Sequence, residues 1–111
     1  MPHRRWDIRI RDILTAIEKI QKYTTDMNSK VFRGDPKTVD AVIRNLEIIG
    51  EASRHVPDEI VDKHPEIPWR EMRDMRNLLA HEYFGVNTKI VWETIQTDLP
   101  AIVPVLKALL R

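Results

Sequence analysis

Four side chains with the chemistry to act on a phosphodiester stand within eight residues of one another: Arg76, Asn77, His81 and Tyr83. They lie in the run Trp69 to Val86, WREMRDMRNLLAHEYFGV. Cutting RNA without a metal ion needs one group to take the proton of the 2′-hydroxyl, one to protonate the leaving oxygen, and positive charge on the phosphorane. His81 suits the proton work, because an imidazole changes charge near physiological pH. Arg76 suits the charge, since its planar fork grips two phosphate oxygens and acts more strongly in a water-poor cleft. Asn77 could orient His81 or bind a phosphate oxygen. Tyr83 offers a hydroxyl for hydrogen bonding and a ring for stacking on a base. Three of the four also have a plainer reading: Tyr83 as core with its hydroxyl at the rim, His81 as a solvated histidine, and Arg76 as an ion pair with Glu47, Glu51 or a partner's carboxylate.

Spacing sharpens the problem these residues pose. Projected on a helix at about 100° per residue, Trp69, Met72, Leu79, Ala80 and Tyr83 share one side, with Met75, Leu78 and Phe84 at its edges. Arg76 falls in the middle of that apolar sector, so it requires an anionic partner or an opening to solvent. Arg70, Asp74, Asn77 and His81 form a second, polar stripe. Arg76 and His81 are therefore about 140° apart on an unbroken helix. Bringing both to one substrate atom requires either a distortion near Ala80, which Gly85 downstream favours, or two copies of the chain sharing a site. The second is the reading preferred here, with the first helping.

The run Arg76-Asn77, Leu78-Leu79-Ala80, His81-Glu82-Tyr83 resembles the motif of the HEPN superfamily, an Arg followed by a polar residue, a short spacer and His. Tyr83, two places after His81, narrows the resemblance to the HepT branch, the toxin halves of HepT/MntA toxin-antitoxin pairs. Ala41 to Ala52 (AVIRNLEIIGEA), Ile67-Pro68-Trp69, Val91-Trp92 and Asp98-Leu99-Pro100 extend it over roughly Ile8 to Leu110. The resemblance implies a metal-independent ribonuclease toxin of a type II-like pair, whose catalytic Arg76 and His81, supported by Asn77 and Tyr83, meet across a homodimer. It further implies a partner, an MntA-like minimal nucleotidyltransferase antitoxin that silences the toxin by transferring AMP onto Tyr83. Phosphates added beside Arg76 would compete with RNA for the same charge. Some HEPN relatives are inactive, so the alternative is a non-catalytic helical binding module that docks a nucleotidyltransferase.

The elements that must position these residues are all helical. Trp6, Ile10, Ile13, Leu14, Ile17 and Ile20 predict a first helix over about Asp7 to Tyr23. Its other face is basic, with Arg4, Arg5, Arg9 and Arg11 behind His3; these are either a solvated face or a grip on a nucleic-acid backbone. Arg70 and Arg73 are further RNA-binding candidates. Thr24 to Gly34 reads as a polar connection, and Asp35-Pro36 as the cap and first turn of a second helix to about Arg54. Val39, Val42, Ile43, Leu46, Ile49 and Ser53 trace its inner face. Gly50 inside it costs about 1 kcal/mol against alanine, which points to close approach of another backbone. Glu51 reads as a surface or interface carboxylate without a catalytic role. A short helix falls within Val56 to His64, Pro65 ends it, and Pro68 starts the motif helix, which Gly85 is placed to stop. Asn87 can cap the next helix. Pro100 marks a kink or a fresh start capped by Asp98, giving helices near Thr88 to Thr97 and Leu99 to Leu110, with a bend at Pro104. The expected fold is all-α, an up-down bundle of four main helices plus a short one, the last broken or kinked near Pro100.

At 111 residues the chain fits one domain, 1–111, with a single core. A net charge of +1 announces no global basic field, so any nucleic-acid contact must come from a local patch. With no cysteine, thiol nucleophiles, disulfides and Cys-based zinc sites are excluded. No apolar run approaches membrane-spanning length and Met1 to Ile10 lack a signal-peptide pattern, so the expectation is a cytoplasmic protein away from membranes. His81-Glu82 begins a metalloprotease-like pattern, but Gly85 stands where its second histidine belongs. His55 and His64 lack partners at metal-ligand spacing, and there is no phosphate-cradling glycine loop. No metal and no cofactor are expected.

Overall fold

Isoleucines at three- and four-residue steps build the first helix of the computed structural model, which describes residues 5–81 and 87–111, and side chains for 5–76 and 87–111 among them. Helix α1 spans Trp6–Tyr23 and buries Ile10, Ile13, Ile17 and Ile20 almost completely. Asp7 in its first turn and Lys22 in its last complement the helix dipole. The segment expected to be a plain polar connection contains a further short helix, α2 (Ser29–Arg33). The Asn28 side chain starts it by accepting the Val31 N–H at 2.8 Å, after the backbone turns through a left-handed Asp26 with φ 65°. Burial holds α2 in place, because Phe32 has no exposed surface and its ring lies 5.3 Å from that of Trp92.

Helix α3 (Pro36–Arg54) has the bounds its cap predicts. The Asp35 carboxylate accepts the Thr38 N–H at 3.3 Å and the Thr38 hydroxyl at 2.9 Å, while Pro36 occupies a first-turn position whose N–H needs no partner. Val42, Ile49 and Ser53 are fully buried on its inner face, and Ser53 donates its hydroxyl to the Ile49 carbonyl. Two prolines bracket the short α4 (Asp58–Lys63), whose first turn carries Asp58 and Glu59. Helix α5 (Trp69–His81) follows Pro68, whose carbonyl accepts the Met72 N–H. The position of Gly85, the expected stop for α5, lies outside the described residues.

Asn87 caps α6 (Thr88–Glu93) by accepting the N–H groups of Lys89 and Ile90. The chain then passes through one π turn, Thr94–Asp98, into α7 (Leu99–Leu109). Of the two readings of Pro100, a fresh start capped by Asp98 is ruled out: Asp98 is helical at φ −74°, ψ −45°, and its side chain makes no cap bond. Proline lacks an N–H and its ring crowds the carbonyl four residues back, so the helix widens just upstream and the Leu99 N–H reaches the Thr94 carbonyl, five residues behind. Pro104 is carried inside α7. The composite of α6, the π turn and α7 is the fourth main element.

Helix α3 is the central element, flanked by α1 and α5, while α7 closes on α1 and α2 bridges α3 and α6. Ile13 and Ile17 of α1, Val42 and Ile49 of α3, Met72 of α5 and Leu106 of α7 belong to one continuous core. The described residues are all-α, as expected, with two short helices instead of one. Among them no helix is long and apolar enough to cross a membrane.

Candidate active site

Three successive contacts, the first to the end of α4 and the next two to α3 and the chain leaving it, fix α5 in place and end at Arg76. At its start, the Trp69 indole N–H donates to the His64 carbonyl at 3.0 Å, with the ring buried. One turn on, Arg73 Nε donates to the Ser53 carbonyl at 3.1 Å and Nη2 to the Val56 carbonyl at 3.0 Å. Those bonds tie α5 to the chain leaving α3, where the Ser53 carbonyl also accepts the Val56 N–H at 3.3 Å, and the Asp58 carboxylate stands 4.0 Å from the same guanidinium. Then the two backbones meet. A Cβ added to Gly50 would stand 2.6 Å from the Arg76 nitrogen and 2.9 Å from its Cβ. Gly50 thus permits the close approach its presence in a helix implied.

The crossing also decides what Arg76 faces. Its Nε stands 2.8 Å from Glu51 Oε1, while the side chain keeps 46% of its surface exposed. Both remedies for a guanidinium on an apolar helix sector, an anionic partner and an opening to solvent, are present together. The other Glu51 oxygen, Oε2, lies 3.1 Å from His55 Nε2, one turn further along α3. That hydrogen bond, aided by the charges of Arg76 and Arg54, holds the Glu51 carboxyl below the ordinary glutamate range.

Around this pair opens a cleft of about 270 Å³ between α1, α3 and α5, with Ile48 and Ala52 among its lining. Its charged residues form three couples, Arg76 with Glu51, Arg9 with Asp12 at 4.0 Å, and Arg44 with Glu47 at 4.0 Å. Three arginines facing three carboxylates leave the cleft formally neutral.

Arg9 and Arg76 are thus the predicted residues that the fold brings together. Arg5 is exposed at the start of α1 and Arg70 on α5, neither of them in the cleft. Arg73 is engaged with the end of α3. Arg4 and Tyr83 lie outside the described residues, as do the side chains of Asn77 and His81. Backbone hydrogen bonding keeps α5 helical through His81, so the Arg76 and His81 positions stand about 140° apart around its axis. Arg44 and His55 were not singled out for the site from sequence. Their signal is a stripe on α3, Arg44, Glu47, Glu51 and His55, at steps of three, four and four.

Comparison with known proteins identifies the family. The profile of the family described as ribonuclease HepT-like matches residues 13–109. A Thermococcus cleftensis protein named "Probable ribonuclease HepT" is 48% identical over 93 residues, covering 84% of each chain. A Methanocaldococcus jannaschii protein named as a candidate RNase is 41% identical over 96 residues, 85% of this chain and 79% of that one. Another from Caldanaerobacter subterraneus, also named as a candidate RNase, is 39% identical over 102 residues, 92% of this chain and 91% of its own. No solved structure matches. A match across nearly the whole sequence, on a helical fold with the expected motif helix, establishes that this chain belongs to the ribonuclease HepT-like family.

Proposed function

We propose that the chain is a metal-independent endoribonuclease toxin, acting as a homodimer in which Arg76 and His81 of different subunits serve one site. The observation that carries this reading is the half-exposed Arg76 guanidinium, set by a glycine crossing at the edge of a cleft that also holds Arg9 and Arg44. The names of the relatives support RNA as substrate. In the reaction the 2′-oxygen, giving up its proton, bonds to phosphorus while the bond from phosphorus to the 5′-oxygen breaks. The products are a 2′,3′-cyclic phosphate and a 5′-hydroxyl that has gained a proton. His81 carries protons and Arg76 neutralises the charge gathering on the phosphoryl oxygens, with Asn77 and Tyr83 in support.

Silencing by an MntA-like nucleotidyltransferase completes the proposal. The Tyr83 oxygen would bond to the α-phosphorus of ATP as pyrophosphate leaves, placing AMP on the motif and its phosphate near the cations RNA needs. Intact-mass measurement after coexpression with such a partner tests this step, with an added AMP expected and its absence from Tyr83→Phe.

The Arg76–Glu51 pair gives Arg76 a structural employment as well, and this observation favours the second reading, a non-catalytic helical module that docks a nucleotidyltransferase. Labelled RNA separates the two. Wild type should cut in EDTA, and Arg76→Ala and His81→Ala should not. Equal cleavage by all three rejects the enzyme.

A further inference from the structure

Glu51 has no part in the roles assigned so far, yet it makes the shortest ion pair among the described residues. We propose that Glu51 is a positioning residue for Arg76, clamped by His55 so that the guanidinium presents a fixed edge to the scissile phosphate. The proposal rests on the ribonuclease reading.

Three observations carry it. Each Glu51 oxygen has its own partner, Oε1 at Arg76 Nε and Oε2 at His55 Nε2, so the carboxylate bridges two side chains and its own rotation is restrained. Contact with Arg76 is made at Nε, the inner nitrogen. The end-on edge of Nη1 and Nη2, the pair that can meet two phosphoryl oxygens at once, lies beyond that contact. Finally, Gly50 immediately precedes Glu51 and fixes the backbone of Arg76, so consecutive residues of α3 locate the main chain and the side chain of one arginine.

A stabilising role explains this less well. Glu51 and Arg76 are each about half exposed, and such pairs add little to folding. Holding a long, flexible cation in one orientation before substrate arrives is what such a contact does well, because catalysis depends on donors already aimed at developing charge. The opposite possibility is that Glu51 competes with RNA for Arg76, and it makes the opposite prediction.

The test uses full-length Glu51→Ala and Glu51→Gln, the latter keeping the length of the side chain and an oxygen beside Nε without the charge. On labelled RNA, Glu51→Ala should lose roughly tenfold or more in kcat with KM within about twofold of wild type. Glu51→Gln should recover part of that loss. The ¹H–¹⁵N signal of Arg76 Nε–H provides a readout independent of cleavage: distinct from free arginine in wild type, and moved to the free position in Glu51→Ala. Cleavage by Glu51→Ala at the wild-type rate or faster overturns the proposal, as does a wild-type Nε–H signal already at the free position. Failure of wild type to cut any RNA instead sinks the ribonuclease reading, and the positioning role for cleavage falls with it.

Discussion

Arg76 combines an ion pair with solvent access, and the chemistry asked of it separates arginine from lysine. Only the guanidinium can hold the Glu51 oxygen at Nε and still offer two parallel donors. Arg76→Lys, although it keeps the charge, should therefore lower kcat/KM on labelled RNA by about a hundredfold. Glu51 yields a pH prediction. Its carboxyl titrates below the ordinary value of 4.5, mainly through the His55 hydrogen bond. A carboxylate depressed on folding contributes stability that is present above its unfolded pKa and is lost as pH falls through the folded one. Any gap in thermal midpoint between wild type and Glu51→Gln near pH 6, small for so exposed a carboxylate, should thus close as pH falls below the ordinary glutamate range. A gap that widens in acid would contradict the assignment. The sequence stated the need of Arg76 for an anion, because an arginine amid Trp, Met and Leu has few alternatives. It could not choose among Glu47, Glu51 and a partner's carboxylate, since that choice depends on where two helices cross. The bridge to His55 was hidden for the same reason: a histidine one turn from a glutamate is commonplace until the glutamate's other oxygen has a use.

At the scale of elements, α3 was the most legible because its signals are local. Asp35 and Pro36 mark its start, the apolar spacing marks its buried face, and Gly50 announces a neighbour. These features act differently when removed. Asp35→Ala loses the bonds to Thr38 and should cost about 1 kcal/mol of stability by chemical unfolding, with RNA cleavage unchanged at temperatures where the protein stays folded. Gly50→Ala gains about 1 kcal/mol of helix propensity but drives a methyl into the Arg76 backbone, an overpacking that typically costs about 1–3 kcal/mol. The variant should lose cleavage by more than its loss of stability explains, because α5 must move at the residue that matters. A variant as active as wild type would show that the crossing does not set the site. Helix α2 escaped the sequence reading because its cause is tertiary: Phe32 is buried by α3 and α6, and five residues cannot display a helical period. Pro100 announced an interrupted hydrogen bond, but nothing in its identity says whether a chain answers with a break or with a wider turn.

For the whole molecule, the continuity of α5 through His81 matters most, since the positions of the proposed acid–base and cationic groups diverge within one chain. A homodimer with composite sites predicts complementation. Arg76→Ala and His81→Ala, each inactive alone, should regain roughly a quarter of wild-type activity when unfolded and refolded together, because half the dimers are mixed and each mixed dimer has one intact site. No recovery, with mixed dimers verified by mass, would place both groups of a site in one chain. Shape away from the site has its own consequence. The single wide turn at Thr94–Asp98 stores one amino acid more than a regular coil requires. Excising the exposed Gln96, with Pro100→Ala to remove the ring that widened the coil, should take up that slack and leave Leu99, Ile102 and Leu106 still aimed inward, so the last helix is where this chain can be shortened by one link without rotating its final turns.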